Sequence, residues 1–190
     1  MYKLCKTEQS ARRQSEIEEG LLSMMGKVPY EEITVKDLCS RLNLPRKSFY
    51  RYFGSKEDAL YALLDHRLMG YETKYTGEIA AVNSGITLHL TWFFEFWMTQ
   101  KDLLDALERS GLSGILVQRA VFHSRREEIF AYAPENFSNA DVEMTTGFIV
   151  CGLMSVVLQW HHNGYPQSPQ EMAETAYKML NRPMTPWIEI

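Results

Sequence analysis

The chain has 190 residues, of which 45% are hydrophobic and 23% charged, a composition that is typical of a globular protein and argues against a disordered chain. Its longest apolar run, residues 148–158, is shorter than the roughly 20 residues that a membrane span needs. Residues 1–14 lack the apolar core of a signal peptide. We therefore expect a soluble, cytoplasmic protein without a membrane partner.

The net charge of −4 hides an uneven distribution of charge along the chain. Residues 1–56 carry 11 Lys and Arg against 7 Asp and Glu, whereas residues 57–190 carry 9 against 17. Basic side chains release counterions from phosphates, and an acidic segment is repelled by them. The pattern favours a protein that contacts a polyanion at its N-terminal end only, although chance unevenness would give the same numbers.

The N-terminal residues predict two helices before a short turn. Thr7 or Ser10 can cap the first helix, which ends near Gly26. Thr34 and Asp37 then form a start similar to a capping box for the second helix, with Asp in place of the usual Glu. The second helix has apolar residues at spacings of three and four, so it presents a single apolar face.

The third helix separates aromatic from basic side chains. Pro45 opens it, because a missing N–H does no harm at the first helical position. Phe49 and Phe53 are four residues apart and share one face, whereas Lys47 and Arg51 point almost directly away from them. We therefore expect the aromatic rings to be buried and the cations to be exposed.

The rest of the chain continues the helical periodicity, and no strand alternation of any length interrupts it. Ser55 and Asp58 can start a fourth helix, whose apolar stripe consists of Ala59, Leu60, Leu63, Leu64 and Leu68. Five more helices are predicted over 86–100, 101–110, 113–130, from Asn139 or Asp141 to 163, and from Pro169, preceded by the capping residue Ser168, to about 180. The expected fold class is all-α, with about nine helices.

Residues 33–64, ITVKDLCSRLNLPRKSFYRYFGSKEDALYALL, resemble the DNA-binding segment of TetR-family transcriptional regulators without a gap. The resemblance covers residues 7–75, and beyond them it rests on the number and order of helices. It implies a helix-turn-helix DNA-binding domain over residues 1–54 and an effector-binding and dimerisation domain over 55–190. One position departs from the family pattern, because Pro45 stands where a Ser or Thr cap is common.

The resemblance also implies which side chains contact DNA. Those expected to read base edges in the major groove are Lys36, Arg46, Lys47 and Ser48. Those expected to contact phosphates are Thr34, Tyr50, Tyr52 and Lys56. A solvated basic face is the alternative, but residues 33–56 hold six Lys and Arg against one Asp, which favours DNA binding.

The predicted fifth helix is rich in aromatic residues. Trp92, Phe93, Phe96 and Trp97 cover more than half of its circumference, with His89 nearby. This is more aromatic surface than one core contact requires, so it favours an apolar effector pocket with a few polar groups. Further wall residues are expected to be Phe122, His123, Met144, Phe148 and Met154. Ordinary core packing is the alternative for each aromatic residue.

The predicted eighth helix carries a strip of small residues. Gly147, Cys151 and Ser155 recur every four residues, which allows another helix to approach closely. The last two helices of TetR-family subunits form a four-helix dimer interface, and the resemblance implies as its apolar contacts Leu153, Val156, Val157, Trp160 and Tyr177. Packing within the subunit is an equally good interpretation. A homodimer is expected in any case, since two recognition helices about 34–36 Å apart read an operator with two-fold symmetry.

No phosphate-binding loop, nucleophile elbow or metal-ligand spacing is visible, so we expect neither an enzyme nor a cofactor nor a metal site. His161 and His162 are adjacent, point about 100° apart on a helix, and are predicted to lie on its exposed end. Three widely separated cysteines predict reduced thiols.

These patterns together predict a dimeric regulator, most simply a repressor, that binds palindromic operator DNA and is released by a small apolar effector. Two alternatives remain at this point. The body could respond to a partner protein instead of a small molecule, or the chain could be a helical binding protein whose head does not bind DNA.

Overall fold

The computed structural model describes residues 7–81, 85–124 and 138–181. Within those residues it contains nine α-helices, one short 3-10 helix at Tyr30–Glu32 and no strand. The α-helices are α1 Glu8–Met25, α2 Val35–Arg41, α3 Arg46–Tyr52, α4 Lys56–Ala81, α5 Ile86–Thr99, α6 Lys101–Arg109, α7 Ser113–His123, α8 Asn139–His162 and α9 Pro169–Asn181. The all-α prediction is confirmed.

Side-chain caps fix where many of these helices begin. In five helices a hydroxyl oxygen accepts a hydrogen bond from the backbone N–H three residues further on; the capping residues are Thr7, Thr34, Ser55, Ser138 and Ser168. Such a bond satisfies one of the N–H groups that the first helical turn leaves without a partner. Because these signals lie within four residues of sequence, the predicted starts of these helices agree with the structure to within one or two residues.

The seventh helix ends earlier than the periodicity predicts. The sequence predicts a helix over 113–130, whereas α7 ends at His123, with Ser124 as its C-cap. The Ser124 hydroxyl donates to the Val121 carbonyl at 2.8 Å, and such a bond back to the preceding turn offers the chain an alternative to further helix. The remainder of the prediction, residues 125–130, lies outside the described residues.

The helices pack around one continuous apolar core. The predicted stripe of α4 is fully buried, and it meets α1 through Ile17, Leu21 and Met25 and α3 through Phe49 and Phe53. In the C-terminal part, α9 packs on α5 and α7 packs on α8. Helix α4 contacts α1 and also contacts α5 and α7, so it links the first three helices to the body, which comprises α5 to α9.

The end of α6 makes a second connection between the body and the first helices. The Tyr30 backbone N–H donates to the Ser110 hydroxyl at 3.0 Å. The Arg109 guanidinium donates to the Gly26 carbonyl at 2.7 Å. These two bonds hold the segment between α1 and α2 against the body.

Candidate DNA-binding interface

Helices α2 and α3 form a tight helix-turn-helix. The turn between them places Asn43 at a φ of 49°, a left-handed conformation that Asn tolerates better than most residues. The Leu44 N–H donates to the Cys39 carbonyl at 2.9 Å and closes the end of α2. The turn therefore has a defined geometry, and it fixes the direction in which α3 leaves α2.

A complete capping box holds the start of α2. The Asp37 N–H donates to the Thr34 hydroxyl at 3.1 Å, and the Thr34 N–H donates to Asp37 Oδ2 at 3.3 Å. The pKa of the Asp37 carboxyl is lowered by the two bonds that this carboxylate accepts, from the Thr34 hydroxyl first and from the Thr34 N–H as well. The predicted capping box is confirmed. The Thr34 hydroxyl also donates to Asp37 Oδ2 at 2.5 Å, so it must leave this carboxylate before it can donate to a phosphate.

Helix α3 begins without a side-chain cap, as Pro45 predicts. Pro45 is the N-cap residue, and its carbonyl accepts from the Ser48 N–H at 2.8 Å. The opposite face of α3 holds it in the core, since Phe49 and Phe53 have 0% and 1% of their surface exposed and their ring centroids are 5.5 Å apart. The aromatic residues are inside, as predicted. Helix α3 is therefore positioned by its buried face.

The exposed face of the helix-turn-helix carries the predicted base-reading cations. Lys36, Arg46 and Lys47 are exposed, and Ser48 is half-buried. A groove of about 360 Å³ runs between α2 and α3, and its lining residues are Lys36, Cys39, Ser40, Asn43, Leu44, Pro45 and Arg46. The fold thus brings Lys36 and Arg46 to one groove although ten residues of sequence separate them. Asn43, which also lines this groove, was not among the predicted readers.

The predicted phosphate-binding residues lie in different environments. Tyr50 is 48% exposed at the surface of α3. Tyr52 is half-buried, with its ring centroid 6.5 Å from that of Phe53. Lys56, at the start of α4, donates from Nζ to the carbonyl oxygens of Tyr30 and Ile33 at 2.6 and 2.7 Å. An ammonium group has three N–H donors, and Lys56 uses two of them to hold the segment before α2.

Comparison with known proteins places this helix-turn-helix in a family. Residues 19–63 match the tetR family of bacterial regulatory proteins, and residues 119–182 match a transcriptional regulator C-terminal region that is named for the same family. The two matches together span more than half of the chain. The chain belongs to the TetR family. No curated protein sequence matches it.

Solved structures with the TetR fold resemble the chain over nearly its whole length. The TetR transcriptional regulator from Streptococcus agalactiae 2603V has a TM-score of 0.64 at 15% identity and covers 92% of this chain and 96% of its own. The TetR family repressor AlkX from Dietzia sp., implicated in biodegradation of n-alkanes, has a TM-score of 0.58 at 15% identity. The match covers 92% of this chain and 94% of AlkX. The dihydroxyacetone kinase operon activator DhaS has a TM-score of 0.56 at 13% identity, and the match covers 88% of this chain and 93% of DhaS. At these identities the likeness shows the fold. The chain is a TetR-family transcriptional regulator of the DNA-binding, all-α type.

In this TetR-family body, the predicted pocket aromatics of α5 lie in two settings. Phe96 and Trp97 are buried, with 7% and 1% exposed. Phe93 and Trp92 are half-buried; the Phe93 ring lies 5.8 Å from that of Tyr71 on α4, and the Trp92 ring lies 5.6 Å from that of His89. Tyr71 extends this group towards α4; it was not among the predicted pocket residues, because no local pattern joins it to α5, which is distant in the chain.

The other predicted pocket residues do not join this aromatic group. Phe122, Met144 and Phe148 are 61%, 75% and 67% exposed. Met154 is buried. His123 is buried on α7, and its Nε2 lies 2.9 Å from Oδ1 of Asp65 on α4. The predicted pocket residues therefore lie in three places: the aromatic group of α5, the core, and an exposed surface of α7 and α8. The pocket itself stays a prediction.

Two of the predicted dimer contacts must be corrected. Val157 and Trp160 have 0% and 2% of their surface exposed, and the Trp160 ring packs edge-on against Phe94 at 5.6 Å while its indole N–H donates to the Gln167 carbonyl at 3.0 Å. A side chain without accessible surface cannot contact a second subunit. Leu153 and Val156 are half-buried, and Tyr177 on α9 is 40% exposed.

Helix α8 leaves one face uncovered by its own subunit. Its exposed residues include large apolar and small side chains; they are Met144, Phe148, Cys151, Gly152 and Ser155. Within the described part of the chain, α8 is the one helix that is long and apolar enough to cross a membrane by length and composition alone, and most of it is not buried. The helix extends beyond the apolar run of 148–158, because Thr145, Thr146 and Gly147 precede the run without adding charge.

The paired histidines at the end of α8 also differ from the prediction. His161 is buried, not exposed; its Nδ1 lies 2.8 Å from the Tyr165 hydroxyl, and its Nε2 lies 3.2 Å from Oδ1 of Asp105 on α6. His162 is exposed and its Nδ1 lies 2.5 Å from Oε1 of Glu108. Together the two imidazoles join the end of α8 to α6. The contact between His162 and Glu108 spans 54 residues of the chain, and the spacing of the histidines does not reveal it.

Proposed function

We propose that the chain binds a two-fold symmetric operator as a homodimer in the cytoplasm and represses the gene that the operator controls. The observation that carries this proposal is the groove between α2 and α3, in which Lys36 and Arg46 lie together and are exposed while Phe49 and Phe53 fix the helix from behind. Arg and Lys suit the guanine O6 and N7 acceptors of the major groove. We therefore assign Arg46 and Lys47, with Lys36 and Ser48, to base readout, and Thr34, Tyr50, Tyr52 and Lys56 to phosphates.

The decisive experiment is a mobility shift on the DNA upstream of the gene. Arg46→Ala and Lys47→Ala should each weaken binding by about 1–3 kcal/mol. Lys101→Ala is the matched control, because it removes one positive charge from an exposed residue of α6, in the body. Equal binding by Arg46→Ala, Lys47→Ala and Lys101→Ala would contradict the assignment. A wild-type protein that binds no upstream DNA even at low salt, where phosphate contacts are strongest, would contradict the proposal as a whole.

The dimer proposal is supported by the uncovered face of α8. Exposed apolar side chains that lie together on a protein surface often mark an interaction site. The small residues Cys151, Gly152 and Ser155 are exposed on this face and permit a second helix to approach closely. On α9 the exposed apolar residues Tyr177, Met179 and Leu180 add to the uncovered surface of the last two helices. Membership of the TetR family favours a second copy of the chain, not a lipid bilayer, as the group that covers it.

For the mode of action, repression is the simpler proposal, because a dimer bound to an operator excludes other proteins from that DNA. Similar folds occur in a repressor, AlkX, and in an activator, DhaS. A reporter gene placed behind the upstream region separates the two. Deletion of the regulator should raise reporter expression, and a fall in expression would show activation.

For the signal, we propose a small apolar effector that contacts the α5 aromatic group. Phe93 lies between Tyr71, Phe94 and Trp97, with centroids at 5.8, 5.3 and 6.4 Å. This arrangement offers aromatic walls from two helices. A thermal-shift series with decane and decanoate tests it, since a bound ligand raises the unfolding midpoint as RT ln(1 + [L]/Kd). A midpoint that no apolar compound raises would favour the alternative, a protein partner that docks on exposed residues such as Phe122.

A further inference from the structure

Three consecutive residues of α4 form ion pairs in two different directions. The first of them, Asp65, accepts two hydrogen bonds from Arg119 of α7, from Nε to Oδ1 at 2.6 Å and from Nη2 to Oδ2 at 2.5 Å. His123 Nε2 lies 2.9 Å from the same Oδ1. Arg119 thus holds the carboxylate with a two-pronged guanidinium contact, which fixes its orientation as well as its distance, and the His123 imidazole lies beside it.

The next two residues of α4 pair with α1 instead. His66 Nδ1 lies 2.8 Å from Glu18 Oε2, and Arg67 Nη2 donates to Glu19 Oε1 at 2.6 Å. Adjacent residues on an α-helix point about 100° apart, so one turn of α4 can contact the body and the first helix at the same time. Helix α4 is therefore held between two sets of charges within three residues of sequence.

Burial makes the inner pairs costly to break. The side chains of Asp65 and Glu18 are 2% and 3% exposed. A carboxylate removed from water is strongly destabilised unless a partner stays in place. An arrangement of α4 that separated Arg119 from Asp65, or His66 from Glu18, would therefore cost the folded protein free energy.

The first turn of α4 continues these contacts to the recognition helix. Asp58 Oδ2 accepts from the Gly54 N–H at 3.0 Å, directly after the end of α3. Lys56 holds the Tyr30 and Ile33 carbonyls before α2. A rotation or shift of α4 relative to α7 must consequently move both ends of the helix-turn-helix.

We propose that Asp65 and Arg119 are positioning residues for DNA binding: their pair fixes α4 on α7 and thereby sets the orientation of α3 relative to the body. This inference rests on the proposed operator binding. It assigns the coupling between the body and the recognition helix α3 to one contact, the pair of α4 with α7. Signals that reach α7 act on DNA binding through Arg119. His66 and Arg67 complete the coupling by keeping α1 in register with the same turn of α4.

The test compares DNA-free and DNA-bound behaviour of the full-length dimer. Arg119→Lys keeps the charge but loses the two-pronged contact, and Asp65→Asn keeps the size but loses the charge. Lys101→Met is the control, since it breaks an exposed pair within α6, with Asp105 at 2.7 Å, that does not touch α4. Hydrogen exchange of the backbone amides of residues 46–53 is measured without DNA, and operator affinity by fluorescence anisotropy.

We expect Arg119→Lys to speed exchange in residues 46–53 and to weaken operator binding by about tenfold, with Lys101→Met unchanged in both. If Asp65→Asn does not fold, Arg119→Lys still decides the outcome. The combined Asp65→Asn and Arg119→Lys variant should cost no more than the larger single effect, because both remove the same contact. Unchanged exchange in residues 46–53 would overturn the inference, whatever the affinity. A wild type that binds no operator would instead overturn the proposed function, since the exchange result does not depend on DNA.

Discussion

The Lys56 ammonium lies 3.9 Å above the centroid of the Tyr30 ring and donates to the Tyr30 carbonyl at 2.6 Å. One side chain thus makes a cation–π contact and a charged hydrogen bond with the same residue. Lys56 also donates to the Ile33 carbonyl, at the other end of the segment that leads into α2. Lys56, which the sequence analysis assigns to a phosphate, therefore also connects α4 to the segment before α2.

Replacement of Lys56 should therefore destabilise the protein. We expect Lys56→Met to lower the free energy of unfolding by about 2 kcal/mol, because two partly buried carbonyls lose a charged donor. Urea denaturation measures this loss, and Lys27→Met, at an exposed lysine, is the control. An unchanged unfolding midpoint would contradict the structural role. If Lys56 also binds a phosphate, the slope of log K against log salt should fall by about 0.9.

The capping box at α2 gives a second prediction. Thr34→Ala should lower stability by about 1 kcal/mol, because the Asp37 N–H loses its acceptor, whereas Thr34→Ser keeps the hydroxyl and should behave as wild type. Thr34→Ala should also raise the pKa of Asp37 towards its ordinary value, since the hydrogen bond from the Thr34 side chain lowers it. An NMR titration of the Asp37 carboxyl checks the second part. Equal effects of Ala and Ser would rule out the cap as the cause.

His66 predicts a pH dependence of stability. Its hydrogen bond to Glu18 raises the pKa of the imidazole above its ordinary value of 6.5, with the charges of Glu18 and Asp65 contributing and burial opposing. A group whose pKa is raised on folding contributes stability that is complete below its unfolded pKa and disappears as pH rises through the folded value. Wild type should therefore lose more stability than His66→Gln on going from acid to alkaline buffer. Parallel pH profiles of the two proteins would contradict this expectation.

Two residues of α8 should respond in opposite ways. Trp160→Ala should cost about 3–5 kcal/mol of stability, because it empties a core position between Phe94 and Tyr165. Phe148→Glu, at a residue that is 67% exposed in the subunit, should leave subunit folding intact and weaken the dimer. Thermal unfolding and analytical ultracentrifugation separate the two effects. A Phe148→Glu protein that stays as dimeric as wild type would remove this face from the proposed interface.

Much of the fold could be predicted because its signals are local. The capping hydroxyls act on the N–H three residues away, and the buried stripes of α1 and α4 repeat at three and four residues. Such short-range patterns are complete within one turn of helix. They also give the aromatic anchor of α3, since Phe49 and Phe53 are four residues apart.

The sequence could not predict contacts that join distant helices. Asp65 and Arg119 are 54 residues apart, and nothing near Asp65 distinguishes a buried carboxylate from a solvated one. On α8 apolar residues occur all round the helix, so periodicity does not show which face turns inward. The family resemblance implies Val157 and Trp160 as dimer contacts, but both are buried in the subunit, and Trp160 packs against Phe94 of α5.

The continuous α4 helix has a consequence for how the protein can be divided. A fragment cut after residue 54 would keep Phe49 and Phe53 but lose the buried stripe of α4 that covers them. Such a fragment would present an open apolar core to water and should aggregate. A chimera that transplants this DNA-binding specificity onto another regulator would therefore have to exchange α4 at least as far as Leu68, and it would carry Asp65 into a body that must supply its own arginine.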